Sequence, residues 1–193
     1  MNKNFKNELA KVINGFKTGQ YDYTINKVST LLKKNQDNDF LWNIKGLILQ
    51  AQKKYFLSLE CLIKATNINP KNIAAINNLG ISYKNIMNYP LAEKCFNKAL
   101  IINPSYVNGL INLGNLKNET LHFNEAIIIY KKAISVDNKI TECHINLAYA
   151  YQSINEIELA KVHLYETIKL DKTQTRADKM ISMLLNYNEN NDH

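Results

Sequence analysis

Hydrophobic and small residues recur along this chain with a fixed step of 34 residues and without insertion or deletion. One such column holds Gly46, Gly80 and Gly114, and Ala148 fills the next step. A constant period of this length is typical of repeat proteins, in which a unit cannot bury its apolar face alone and stacks on its neighbours. The pattern therefore predicts a solenoid of stacked units.

Residues 73–106 show what one period contains. Apolar and small residues at i, i+3, i+4 and i+7 predict a first helix: Ile76, Leu79, Gly80 and Tyr83. A second helical stripe follows after a break: Ala92, Phe96 and Ala99. Pro90 suits the first turn of that second helix, where a missing N–H costs little. Pro104 ends it, because the residue before a proline avoids the helical region. Each unit is thus predicted to be helix, turn, helix, turn.

These residues resemble the consensus of the tetratricopeptide repeat (TPR) family. The preceding unit matches at Trp42, Gly46, Leu62, Ala65 and Pro70. The following unit matches at Leu110, Leu113, Gly114, Ala126, Tyr130 and Ala133. The resemblance covers nearly the whole chain. It implies an all-α fold, a right-handed superhelical α-solenoid of TPR helix-turn-helix repeats.

The register also predicts the domain boundaries within a single TPR solenoid over residues 1–193. A degenerate N-terminal repeat is expected at 5–38, since terminal repeats of solenoids are atypical. Four TPR units follow, at 39–72, 73–106, 107–140 and 141–174. A lone closing helix is expected at 175–187, and a disordered polar tail at 188–193.

The family resemblance implies that the first helices of the repeats line a concave groove that binds an extended peptide. The sixth position of three successive units holds asparagine, at Asn78, Asn112 and Asn146. A side-chain amide is both donor and acceptor, so this column can pair with a peptide backbone whatever its side chains. It resembles the asparagine ladder of O-linked N-acetylglucosamine transferase-type proteins. Composition alone is the alternative origin, since the chain contains 29 asparagines.

The rest of the expected groove is largely uncharged and rich in amides. Its other candidate peptide-binding residues share the ninth and twelfth positions: Lys84, Asn115, Asn118, Tyr149 and Gln152. We expect these side chains and the ladder to face an open groove, where they hydrogen-bond water when no peptide is bound. A clamp for a terminal carboxylate is disfavoured, because the only arginine, Arg176, lies in the expected closing helix.

The net charge of +7 is concentrated at one end of the chain. Residues 1–72 carry 12 lysines and 5 acidic residues, whereas residues 73–193 carry 12 basic and 12 acidic residues. Either the lysines form a solvated face, or an acidic segment of a protein partner docks there. Nucleic acid is disfavoured, because arginine forks and aromatic stacking platforms are lacking. The oligomeric state stays open.

Catalytic chemistry finds no support in the sequence. It contains no phosphate-binding glycine loop, no G-x-S-x-G and no H-E-x-x-H, so no catalytic residue, metal or cofactor is expected. His144 replaces apolar residues of the other units and is expected to pack. Three cysteines without a CxxC pair, with no secretory signal or membrane span, suggest a reducing cytoplasm.

Two functional hypotheses remain. The first is a non-enzymatic scaffold that binds a partner's extended peptide. The second is an accessory or targeting module of a glycosyltransferase- or sulfotransferase-type enzyme, because arrays with units like Asn77-Asn78-Leu79-Gly80 also precede such catalytic domains. No catalytic domain is expected after His193, so the second role would need a separate subunit or a longer gene product.

Overall fold

The computed structural model describes residues 3–189, and within that range it contains eleven helices and no strand. The all-α class is therefore confirmed. The helices are α1 (Lys3–Lys17), α2 (Tyr21–Leu32), α3 (Asp39–Ala51), α4 (Tyr55–Ile68), α5 (Ile73–Asn85), α6 (Tyr89–Ile102), α7 (Val107–Glu119), α8 (Phe123–Val136), α9 (Thr141–Ser153), α10 (Ile157–Leu170) and α11 (Thr175–Glu189). None of these described helices combines the length and the apolarity needed to cross a membrane.

The chain divides into two compact units. The N-terminal unit is Met1–Asn103 and contains α1 to α6. The C-terminal unit is Pro104–His193 and contains α7 to α11. The last helix extends to Glu189, two residues beyond the expected end at 187. The rest of the expected disordered tail, 190–193, lies outside the described residues.

Local chemistry fixes where the helices begin. The side chains of Asn38, Asn72 and Asn88 cap α3, α5 and α6, because each accepts a hydrogen bond from a backbone N–H three residues on. Such caps satisfy donors that have no partner inside the helix. Pro90 stands in the first turn of α6. The many asparagines thus have a structural use at helix starts.

One left-handed residue ends the first helix of each of four successive pairs. These residues are again 34 apart: Lys53, Met87, Leu121 and Asn155, with φ between 58° and 65°. The following residue donates its N–H to a carbonyl five residues back, as from Asn88 to Tyr83 at 2.9 Å. This bond closes the helix end. The chain reverses within three residues, so the second helix packs directly against the first.

Glycines allow this close packing. A Cβ added at Gly80 would lie 2.6 Å from Cε1 of Phe96, and one at Gly114 would lie 2.6 Å from Cε1 of Tyr130. Both rings are fully buried. The core of each unit therefore forms where the paired helices meet, and the first helices α5, α7 and α9 keep another face for contacts with neighbouring pairs.

Candidate functional site

In the N-terminal unit, Asn78 joins the first helices of two successive pairs. Its Nδ2 on α5 donates to Oδ1 of Asn43 on α3 at 2.9 Å. The backbone carbonyl of Asn78 accepts a hydrogen bond from Nε2 of Gln50 on α3 at 2.7 Å. The Gln50 Nε2 also donates to Oγ of Ser82 at 2.7 Å. Asn43 is buried and Asn78 is half-buried. The sixth position is therefore bonded to the preceding first helix.

The C-terminal unit repeats this arrangement at Asn146. Its Nδ2 on α9 donates to Oδ1 of Asn115 on α7 at 2.9 Å, and its backbone carbonyl accepts from Nδ2 of Asn118 at 3.2 Å. The Asn118 amide also donates to the Tyr130 hydroxyl at 3.4 Å, and that hydroxyl donates to Asn115 Oδ1. Four side chains on three helices thus form a closed circuit of hydrogen bonds.

The circuit fixes the orientation of each amide. A carbonyl only accepts, so the Asn118 group that faces the Asn146 carbonyl is its NH₂. The Tyr130 hydroxyl oxygen accepts a hydrogen bond from that NH₂, so its O–H donates to Asn115 Oδ1. Burial raises the pKa of Tyr130, so the hydroxyl keeps its proton. Asn146 must then present its NH₂ to Asn115, which leaves its Oδ1 available.

The ladder is therefore less open than expected from the sequence. Asn78 and Asn146 are half-buried, and each uses its NH₂ to bind the preceding first helix. Within residues 3–189, neither uses its Oδ1 in a hydrogen bond. The physical reason is that successive first helices pack closely enough for short amide side chains to bridge them. Asn78 and Asn146 thus each have a structural NH₂ and an available Oδ1.

A concave site of about 310 Å³ lies on this face of the C-terminal unit. It is lined by Asn115, Asn118, Glu119, Glu142, Asn146, Tyr149 and Arg176. Four of these were predicted from the sequence: Asn115, Asn118, Asn146 and Tyr149. Glu142 was missed, although the second position of a unit lies on the same helix face as the sixth, one turn earlier. Arg176 was set aside as part of the closing helix, yet the first turn of α11 brings it to this site.

The remaining predicted residues lie elsewhere. Gln152 lines a separate depression with Asn155, Ile157, Met183 and Leu184. Asn112 is half-buried on α7 and does not line the concave site. Lys84 is half-buried on α5 of the N-terminal unit. The structure thus brings together half of the predicted groove residues.

A histidine pair in the C-terminal unit was not predicted. Nδ1 of His144 on α9 lies 3.1 Å from Nδ1 of His163 on α10, and His144 Nε2 lies 3.2 Å from the carbonyl of Asn138. Because that carbonyl only accepts, His144 carries its proton on Nε2 and His163 donates from Nδ1. Burial, then His144 and Lys131, lower the pKa of His163 to about 4. Within the described residues, no group of three histidine, cysteine or acidic side chains could hold a metal ion.

Comparison with known proteins identifies the repeats. Residues 73–106 and 107–140 each match a model of the tetratricopeptide repeat. Protein O-mannosyl-transferase TMTC3 of Homo sapiens is 35% identical over 65 residues, which are 34% of this chain and 7% of that protein. The Mus musculus protein matches equally. The chain thus spans only about 7% of the length of these curated relatives.

Solved structures share the fold over most of the chain. TTC0263, a thermophilic TPR protein of Thermus thermophilus, aligns with a TM-score of 0.78 and 15% identity over 93% of this chain and 98% of that one. MamA aligns with a TM-score of 0.73 and 17% identity over 91% and 96%. YrrB, described as a TPR protein with an unusual peptide-binding site, gives a TM-score of 0.71 and 13% identity over 91% and 90%.

At these identities the structural likeness shows the fold alone, and it confirms the predicted solenoid of helix pairs. The two family matches fall in adjacent units of the 34-residue register, and the helices on either side keep the same length and turn geometry. Residues 73–140 therefore form two tetratricopeptide repeats, and the chain as a whole has the fold of solved TPR proteins.

Proposed function

We propose that this chain is a non-enzymatic protein–protein interaction scaffold that binds an extended peptide segment of a partner along the first helices of its repeats. The supporting observation is the two-sided use of the ladder asparagines. Asn78 and Asn146 each hold the preceding helix through Nδ2 and keep Oδ1 available. An available amide oxygen accepts a backbone N–H of an extended peptide, whatever the peptide's side chains.

The fixed orientation of these oxygens favours binding. A side chain that is already held by its NH₂ loses little rotational freedom when its oxygen accepts a further bond. Asn112 completes the ladder by position, and Lys84, Asn115, Asn118, Tyr149 and Gln152 belong to the proposed binding surface. YrrB supports the proposal only by its fold and by its description as a peptide-binding TPR protein.

We further propose that the partner segment that docks at residues 1–72 is acidic. Residues 1–72 carry 12 lysines against 5 acidic residues, a field that accelerates encounter with an acidic segment. Replacing Lys33, Lys34, Lys53 and Lys54 with glutamine should slow association and flatten its salt dependence. If association with the selected partner is the same at about 50 mM and about 500 mM salt, the lysines only confer solubility.

The test of the proposed function is selection of peptides from a displayed library on the full chain. We expect linear peptides whose binding is lost when Asn78, Asn112 and Asn146 are replaced with alanine. Asn97→Ala and Asn124→Ala, at exposed positions on the second helices α6 and α8, provide the matched control and should leave binding unchanged. If the selected peptides bind the triple variant as well as they bind the wild type, the proposal that the asparagines bind the peptide is refuted.

A second candidate function is favoured by one comparison. The match to TMTC3 covers only 65 residues, but it joins this chain to a protein named as an O-mannosyl-transferase. The chain would then be an accessory or targeting TPR module, supplied to its enzyme in trans or as part of a longer product. Purification of the native protein, with its mass and an assay for sugar transfer, tests this. A full-length product of 193 residues without associated transferase activity would exclude it.

A further inference from the structure

We propose that one edge of the N-terminal unit, where its first helices turn into the second helices, binds an acidic protein segment that carries a large apolar side chain. The proposal rests on the proposed function and specifies where and how the acidic segment docks. The juxtaposition that carries it is three exposed lysines beside two protruding apolar side chains. We call these residues the turn edge: Lys17, Lys53, Lys54, Phe56 and Met87.

Hydrogen bonds place three turns of this unit side by side. Gln50, near the end of α3, donates to Oγ of Ser82, near the end of α5, at 2.7 Å, so these two first helices end together. Gln52, in the turn after α3, donates to Asp22, in the first turn of α2, at 2.9 Å. The turns that share the edge are therefore 18–20, 52–54 and 86–88.

The turn edge is positively charged. Residues 17–20, 52–57 and 86–88 hold three lysines and no acidic residue. Within residues 3–189, none of these three lysines forms an ion pair with a carboxylate. Asp22 comes to this edge from α2, but its carboxylate already accepts the Gln52 amide. Three ammonium groups beside one engaged carboxylate favour an acidic ligand.

Large apolar side chains protrude beside these lysines. Phe56 is 73% exposed and Met87 is 76% exposed. Ile86, the neighbour of Met87, packs against the cluster that contains Leu59, one turn after Phe56 on α4, so the two protruding side chains lie near each other. Apolar side chains next to unpaired cations suit a ligand that brings a large apolar side chain together with carboxylates.

Neither packing nor backbone conformation favours a methionine at position 87. Met87 has a φ of 61°, in the left-handed region that asparagine adopts more readily, and Asn155 holds the equivalent position of a later unit. Its side chain is largely outside the core. A flexible thioether chain adapts to apolar partners of different shape, which is a use that an exposed methionine can serve.

The opposite edge of the same unit lacks this combination. Its turns, 33–38 and 69–72, hold three lysines together with Asp37 and contain no large apolar residue. The 13 residues of α3 separate the two edges by about 20 Å. That distance exceeds the screening length of about 8 Å at physiological ionic strength. Docking at the turn edge is therefore separable from a general attraction to the lysines of this unit.

The experiment titrates the full chain, labelled for NMR at backbone amides and methionine methyl groups, with the probe acetyl-Asp-Glu-Leu-Phe-Glu-Asp-amide at physiological ionic strength. We expect the Met87 methyl signal to shift saturably. The methyl signal of Met183, which is 66% exposed on α11, should not shift. Replacing the probe's leucine and phenylalanine with alanine, or its acidic residues with asparagine and glutamine, should lower the affinity at least fivefold.

A matched pair of lysine variants separates docking from long-range attraction. Lys53→Gln with Lys54→Gln should lower the affinity for the probe at least fivefold. Lys33→Gln with Lys34→Gln makes the same change of charge at the opposite edge and should leave the affinity within twofold. An equal loss in the two double variants would overturn the inference, because only the general charge of the unit would then act.

Apolar variants test the second half of the proposal. Phe56→Ser should lower the affinity at least threefold, whereas Ile101→Ser, at an 81% exposed position of α6, should leave it within twofold. Met87→Asn should lower the affinity at least threefold without lowering the melting temperature, because asparagine suits the left-handed backbone. An alanine-substituted probe that binds as well as the original would overturn the inference.

Two further arms separate this inference from its alternatives. If vesicles with about 30% phosphatidylserine bind through Phe56 while the probe does not bind, the turn edge belongs to an anionic lipid surface and the inference is overturned. The triple alanine variant of Asn78, Asn112 and Asn146 should bind the probe like the wild type. The proposed function fails differently, when no displayed peptide depends on those asparagines. Peptides that need the asparagines, with no binding of the probe, would overturn the inference alone.

Discussion

At the scale of single residues, the missing side chain of Gly80 controls how closely α5 approaches α6. The fourth step of the same column shows the alternative, because Ala148 there stands 16 residues before Leu164 rather than before an aromatic ring. A branched aliphatic side chain thus accompanies the alanine, where Gly80 and Gly114 face Phe96 and Tyr130. A leucine partner must also shift to make room, since a Cβ added at Gly46 would lie 2.6 Å from Cγ of Leu62.

We expect Gly80→Ala to lower the free energy of unfolding by about 1–3 kcal/mol, because the new Cβ displaces a fully buried ring in a packed core. The gain in helix propensity, about 1 kcal/mol, offsets only part of this. Adding Phe96→Leu should recover part of the loss by recreating the Ala148–Leu164 pair. Urea titration measures both. If Phe96→Leu instead lowers the free energy of unfolding further, contact between the new Cβ and the Phe96 ring is not the cause of the loss in Gly80→Ala.

The ladder asparagines should contribute to stability as well as to binding. Asn146→Ala removes one of the two donors to Asn115 Oδ1 and leaves the Tyr130 hydroxyl as the other, so a loss of about 0.5–1.5 kcal/mol is expected from the missing hydrogen bond. Asn124→Ala, at an exposed position of α8, should stay within about 0.5 kcal/mol. Thermal or urea unfolding of the two variants provides the comparison. Equal stability of both would mean that Asn146 does not hold the neighbouring helix.

At the scale of helices, the sequence predicted what depends on spacing and missed what depends on contacts between distant positions. The glycine and alanine columns predicted the helix pairs, Pro90 predicted where α6 begins, and Pro104 predicted where it ends. The Asn118–Asn146 bond joins residues 28 apart, and the histidine pair joins residues 19 apart. No local pattern marks either contact. Burial of Asn118 was missed for the same reason, since a polar residue at a groove position looks exposed until its partners are placed.

The histidine pair between α9 and α10 should make the C-terminal unit sensitive to acid. The unfolded chain takes up a proton at His163 near the ordinary pKa of about 6.5, whereas the folded chain does so only near a pKa of about 4. The unfolded state therefore binds more protons between these values, and stability falls as the pH falls through that window. The expected loss is on the order of 2–3 kcal/mol between pH 7 and pH 4.

His163→Asn isolates this effect, because an asparagine NH₂ can replace the Nδ1–H donor without titrating. Carboxylates that also lose interactions in acid, such as Glu125 and Asp171, are common to both proteins. The difference in unfolding free energy between wild type and variant should therefore shrink as the pH is lowered from 7 to 4. A difference independent of pH would mean that His163 titrates normally in the folded state.

At the scale of the whole molecule, each unit contains an asparagine that binds the preceding first helix through its NH₂ and keeps its Oδ1 available, Asn78 in one unit and Asn146 in the other. The net charges of the two units differ. Residues 1–103 hold 15 basic and 6 acidic side chains, whereas the C-terminal unit is slightly acidic. The sequence predicted the asparagine column and the charge asymmetry. The concave site of the C-terminal unit required the structure, because Arg176 and Glu142 line it from α11 and α9.

The central claim is that Oδ1 of Asn146 accepts a backbone N–H of the bound peptide. The most direct measurement is a double-mutant cycle with a selected peptide that is N-methylated at one backbone amide at a time. For wild type, methylation at one position should weaken binding by about 2–12-fold, the equivalent of one net hydrogen bond of about 0.5–1.5 kcal/mol. In the Asn146→Ala variant, which should remain folded at the temperature used, the same methylation should have no effect. An equal loss in both proteins at every position would contradict the claim.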